Sequence, residues 1–242
     1  MNKWGRRLRR PSPYFRVLCQ LASGASARRP GTVAAAVRWA ALWNRVRPYT
    51  LMSVPRLKSL YRLTSLLDKE GVPGDIVECG TWRGGSAAMM AAASAASPFN
   101  RRLWLFDSFQ GLPEAGPMDP QAAHARAGDL RTEPAAVHAA MARMGIPASR
   151  YSVTGGWFED TLPDAPIEQI ALLHSDADLY ESTCAVLTNL YDRVKPGGVI
   201  VMDDYGRKWL GVAAAVDEFL ATRSLDVQLT IVEDTACWFR KP

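Results

Sequence analysis

HSDADLYEST, His174 to Thr183, closes the apolar run that begins at Ile170, and GGVIVMDDY, Gly197 to Tyr205, closes a second one a helix length later. Short aliphatic runs separated by a helix-sized segment read as parallel strands joined by a crossover. Both runs end in carboxylates, so Asp176, Asp203 and Asp204 are expected together at the carboxyl edge of one sheet, where open α/β sheets bind ligands. A strand-end Asp can also serve only as a helix cap. Two acidic clusters on successive strands favour a functional site. Hard oxygen donors in this arrangement suit Mg²⁺, with waters or substrate oxygens completing an octahedron, better than Zn²⁺.

Working outward, the same alternation continues. DIVECG from Asp75, RLWLFD ending at Asp107 and a short run at Tyr151 to Val153 read as three earlier strands. Helices are predicted at Val33–Arg47, Pro55–Lys69 with Ser53 as its cap, Gly85–Ala96, Ala135–Met144, Glu181–Val194 and Val212–Thr222. Pro113 to Arg131, with several Pro and Gly residues, reads as a long loop or lid. DVQLTIVED and ACWFRK suggest a terminal hairpin. The expected fold is therefore α/β: a mainly parallel sheet with a C-terminal antiparallel hairpin and helices on both faces. Residues 1–49 form a basic arm and helix, and residues 50–242 the main domain.

Charge divides along the same line. Residues 1–67 hold fourteen of the 29 basic residues and none of the 24 acids, so a basic arm precedes an acidic body. Such an arm can touch a neighbouring subunit, an anionic membrane surface or nucleic acid; a solvated or subunit-contacting arm is the default. The acidic body lacks a nucleic-acid-binding module, which argues against a nucleic-acid partner. No segment is long and apolar enough to span a bilayer. Cys19, Cys79, Cys184 and Cys237 show no paired spacing, so free thiols in a reducing cytoplasm are expected.

ECGTWRGGS, Glu78 to Ser86, lies at the first strand-to-helix turn. Gly80, Gly84 and Gly85 depart from the G-x-G-x-x-G of dinucleotide folds, so pyrophosphate binding is disfavoured. Glu78 suits a ligand bearing an ammonium group, and Asp107 is placed to accept hydrogen bonds from ribose hydroxyls. Together they point to a nucleoside with an amino-acid tail, S-adenosylmethionine. Trp82 reads as packing beneath such a ligand or rimming its site. Trp209, after the second acidic cluster, is a candidate for stacking on a sugar. Trp104 and His138 read as packing residues, and His174 as a satisfied core histidine or a contact behind the site.

IVECGTWRGGS, LFDSFQGLP, GWFEDTLP, HSDADLYEST and GGVIVMDDY, in this order, resemble the macrocin-type (TylF/MycF) sugar O-methyltransferases, Mg²⁺-dependent class I methyltransferases with a Rossmann-like sheet. The resemblance covers roughly Thr50 to the C-terminus. It implies methyl transfer from S-adenosylmethionine to a sugar hydroxyl in antibiotic or surface-glycan tailoring; the alternative is a catechol-like or other small diol. It implies that Glu78, Gly80, Thr81 and Ser86 hold the methionine end, with Asp107 and Ser108 at the ribose. Trp157 would lie beside the adenine, and Asp176 and Asp178 would reach the cofactor side. Asp176, Asp203 and Asp204 would bind the metal, and His124 would be the general base. A sugar-containing small-molecule acceptor and a homo-oligomer are the implied partners.

Overall fold

The computed structural model describes residues 30–206 and 210–242. The chain divides after Arg45 into two units. Helix α1, Pro30–Val46, is the described part of the first; the rest of the basic arm, Cys19 and Trp209 lie outside the described residues.

In the second unit, helix α2 (Val54–Lys69) begins as its sequence implies: the Ser53 side chain accepts a hydrogen bond from the Arg56 N–H, with Pro55 in the first turn. Leu57, Leu60, Leu63 and Leu67 form its buried stripe, whereas Leu66 faces solvent. Five strands then alternate with helices: β1 (Asp75–Cys79), α3 (Gly85–Ala93), β2 (Leu103–Asp107), α4 (Pro134–Met144), β3 (Tyr151–Gly155), the one-turn α5 (Phe158–Thr161), β4 (Ile170–Ser175), α6 (Tyr180–Leu190) and β5 (Val194–Asp203). Helix α7 (Leu210–Thr222) precedes β6 (Thr230–Val232) and β7 (Ala236–Arg240). The segment Pro113–Arg131 is a loop apart from a 3-10 stretch at Gln121–Arg126, and hydrogen bonds between Leu112 and both Gly128 and Asp129 tie its two ends together.

The seven-stranded sheet runs β3-β2-β1-β4-β5-β7-β6. The first five strands are parallel and β7 is antiparallel to both neighbours, which is the Rossmann-like sheet of class I methyltransferases with a terminal hairpin. Two boundaries differ from the sequence expectation. Helix α3 ends three residues early, and β5 starts at Val194, because Lys195–Gly198 makes an irregularity inside the strand rather than a connector before it. Helix α3 is buried from Gly85 through Ala91, which explains a helix of only small and flexible residues.

Arg101 is a buried cation that the sequence did not flag. It is 1% exposed and bonds Asp68 and the Val72 carbonyl, tying the end of α2 to the start of β2. Cys79 and Cys237 are buried free thiols, and Cys184 is half-buried and free. No helix among the described residues is long and apolar enough to cross a membrane.

Candidate active site

The strand order puts β1 and β4 side by side at the point where the chain's direction of progression reverses, and a cavity of about 470 Å³ opens above their carboxyl ends. Gly80, Thr81, Ser86, Asp107, Ser108, Trp157, Asp176, Asp178, Asp203 and Asp204 all line it. One cavity thus joins the expected cofactor residues to the acidic pair. Trp82 lines it as well, with the Arg83 guanidinium stacked on its ring.

The glycine turn is built for close packing of protein against protein. Gly80 has a φ of 88°, and a Cβ there would meet the Asp176 carbonyl oxygen at 1.8 Å. This lets the end of β1 lie against the end of β4, where the Asp176 N–H donates to the Cys79 carbonyl. A Cβ at Gly85 would likewise strike Tyr49 and Thr50. Gly80→Ala combines backbone strain with an immovable clash, so we expect a loss of about 3 kcal/mol or more in denaturant unfolding. An unchanged midpoint would show that the strand ends separate at little cost.

Asp107, at the end of β2, accepts from the Phe109 N–H through Oδ1 and from the Trp82 N–H through Oδ2, each at 2.7 Å. Burial pushes its carboxyl up, and these two bonds oppose the shift. The bonds fix the carboxylate and the turn after β1 relative to each other, and remaining lone pairs face the cavity. Glu78 occupies a different place. It is fully buried and does not line the cavity: Oε2 accepts from Thr81 Oγ at 2.6 Å, and Oε1 lies 2.9 Å from His174 Nδ1. His174 is therefore a contact of Glu78, and its Nε2 has no partner, so it is not a satisfied core histidine.

The acids fall into two groups that share Asp176. One comprises Asp176 with Asp203 and His174, the other Asp176 with Asp178 and Asp204, each with donor atoms within 4.8 Å of one another. Burial raises the Asp176 carboxyl well above its ordinary value, and Asp203, Asp204 and Asp178 raise it further; Arg56 opposes them. Asp204 is raised by burial and then by Asp178 and Asp203, and it shares a hydrogen bond with Asp178. Such crowding of buried carboxylates is what a divalent cation relieves, and the all-oxygen outer group suits Mg²⁺. The donor set fits a metal.

Two cations at this site were not visible in the sequence. Arg56, on the first turn of α2, places Nη1 2.6 Å from Asp203 Oδ2, and Arg126 lines the cavity and favours the charged form of Asp178. Neither sits in a motif, and Arg56 reaches across 147 residues of sequence. His124 lies exposed on the 3-10 stretch of the loop, outside the cavity lining. His138 bonds Tyr151, and Trp104 bonds Asp75 and packs against the core, both as packing residues.

A family model described as macrocin-O-methyltransferase (TylF) matches residues 13–241. Among curated proteins, the chain is 40% identical over 164 residues to 8-demethyl-8-(2,3-dimethoxy-alpha-L-rhamnosyl)-tetracenomycin-C 4'-O-methyltransferase of Streptomyces olivaceus, covering 65% of this chain and 62% of that protein. It is 36% identical over 199 residues to demethyldecarbamoylnovobiocin O-methyltransferase of Streptomyces niveus, covering 79% and 76%. Among solved structures, the O-methyltransferase NovP superposes with a TM-score of 0.74 at 33% identity, over 80% of this chain and 82% of that one.

Proposed function

Since this chain belongs to the macrocin-O-methyltransferase (TylF) family, we propose that it transfers a methyl group from S-adenosylmethionine to a sugar hydroxyl of a small-molecule acceptor, with Mg²⁺ required. The observation that carries this reading is the single cavity in which the glycine turn and Asp107 stand beside the acidic cluster. The relative from Streptomyces olivaceus, whose name specifies a rhamnosyl group, supports the sugar.

In this reading Asp107 accepts from the ribose hydroxyls, with Ser108 beside it, and the Trp157 ring lies along the adenine. Gly80, Thr81 and Ser86 bound the amino-acid end. Glu78 acts from beneath by fixing the Thr81 hydroxyl. The reaction is an in-line displacement at carbon, so the leaving thioether needs no proton and the acceptor hydroxyl must lose one. A bound Mg²⁺ supplies positive charge that orients a vicinal diol and lowers the pKa of its attacking hydroxyl. Asp176, Asp203 and Asp204 would hold it, with Asp178 on the cofactor side. Holding methyl donor and hydroxyl in line within one cavity accounts for much of the remaining acceleration.

The test is incubation with S-adenosylmethionine, Mg²⁺ and a panel of glycosides and catechols, with products read by mass spectrometry. Methylated glycosides, lost on EDTA and restored by Mg²⁺, are expected. Methylation untouched by EDTA would sink the metal requirement, and a catechol-only product would move the acceptor to the alternative diol class.

His124 takes the proton in this reading, carried inward by the loop that bears it. His124→Ala is then expected to lower turnover about 10²- to 10⁴-fold at constant cofactor affinity. Unchanged turnover would transfer the role to Asp178, which already lines the cavity and whose carboxyl is raised by burial.

A further inference from the structure

Two of the buried polar atoms left without a partner, His174 Nε2 and Asp203 Oδ1, belong to residues of one donor group, with Asp176 as its third member. Buried polar atoms in folded proteins are almost always satisfied, so a pair of orphans within one group marks the place of a missing water or ion. The sheet explains their meeting. Glu78 and His174 are register partners on β1 and β4, so their side chains share a face. Asp176 lies two residues beyond His174 on that face, and Asp203 follows Met202, the register partner of Ser175. His174 is thus the floor beneath Asp176 and Asp203.

Its two nitrogens are committed differently. Glu78 Oε1 accepts from Nδ1–H at 2.9 Å while Oε2 accepts from Thr81, which leaves Nε2 with a lone pair. Arg56 occupies Asp203 Oδ2, which leaves Oδ1 open. A carboxylate that orients a histidine through Nδ1 so that Nε2 can bind a metal is a recurrent arrangement in metalloproteins.

We propose that His174 Nε2 is a ligand of the divalent cation, which therefore sits in the mixed nitrogen–oxygen group His174, Asp176 and Asp203 rather than in the all-oxygen group. This rests on the cation requirement stated above and deepens it. Glu78 then serves both halves of the site, steadying Thr81 at the cofactor turn and the imidazole at the metal. A nitrogen donor also biases the site toward Mn²⁺ over Mg²⁺.

The experiment loads the full-length protein with Mn²⁺ and records electron spin-echo envelope modulation. A directly bound imidazole nitrogen gives ¹⁴N modulation, which is expected in the native chain and should change on selective ¹⁵N-histidine labelling. The chain's other two histidines, the exposed His124 and the Tyr151-bonded His138, do not line the cavity. His174→Asn, whose amide can replace Nδ1 toward Glu78 but cannot reach the metal, should abolish the modulation. It should weaken Mn²⁺ binding more than about tenfold, with S-adenosylmethionine affinity held. Bound Mn²⁺ without a histidine ¹⁴N signal overturns this ligand and leaves the cation reading standing. Failure of the native chain to bind Mn²⁺ or Mg²⁺ at all overturns both.

Discussion

Asp176→Asn is expected to reduce methyl transfer about a hundredfold or more while leaving the metal-free fold at least as stable as the native chain. Asp176 belongs to both donor groups, so its loss damages the site wherever the cation rests. Its charge is held against burial and against Asp203, Asp204 and Asp178, with only Arg56 in favour. An amide of the same shape removes that repulsion, so function and stability should move in opposite directions, as at sites where strain is kept for chemistry. Turnover and thermal unfolding in EDTA check the two halves. Native turnover would remove Asp176 from the site, and a fall of several degrees in Tm would make it a structural residue.

Without divalent cations, stability should fall as pH rises from about 5 to about 8. Burial and neighbouring acids raise Asp178 to about 6 and Asp204 to about 8 in the folded protein, against about 4 in an unfolded chain. Across that window the native state binds more protons than the unfolded one, so the slope of unfolding free energy with pH is negative. Asp192, held below the usual carboxylate range by Arg223, loses its contribution only in acid below that window. Mg²⁺ takes the ionised carboxylates, so its effect should grow with pH. At a hundred times its Kd it adds about 2.7 kcal/mol, or roughly 5–10 °C in Tm for a domain of this size. Melting curves at pH 5.5 and 8, in EDTA and in Mg²⁺, measure this directly. A metal-free protein more stable at pH 8 would mean that Arg56 and Arg126 already neutralise the cluster.

Much of the architecture was legible because it rests on local pattern. Fully buried strands such as β4 read as unbroken apolar runs, and α2 announces itself by Ser53, Pro55 and its leucine stripe. Boundaries were less legible at Lys195–Gly198, where Pro and Gly suggest a connector but pairing of Val194 with Ile170 pulls the segment into the strand.

For the site, parallel strands carry their last residues to one edge, so acids and glycines at strand ends could be assigned to a common cavity from order alone. Which side chains touch depends on register and on what packs above. Register put His174 beside Glu78 and turned both of the Glu78 oxygens inward, and α2 brought Arg56 onto Asp203 from far along the chain. Gly80 looked like room for a ligand and proved to be room for the backbone of Asp176.

The sequence alone therefore determined the alternating fold and the residues that reach its carboxyl edge, since both follow from periodicity and strand direction. Only the tertiary structure decided how the acids divide, which of them meet a cation from the protein and where the orphaned His174 nitrogen lies. Those contacts form between strands and helices that are remote in sequence, and no local spacing encodes them.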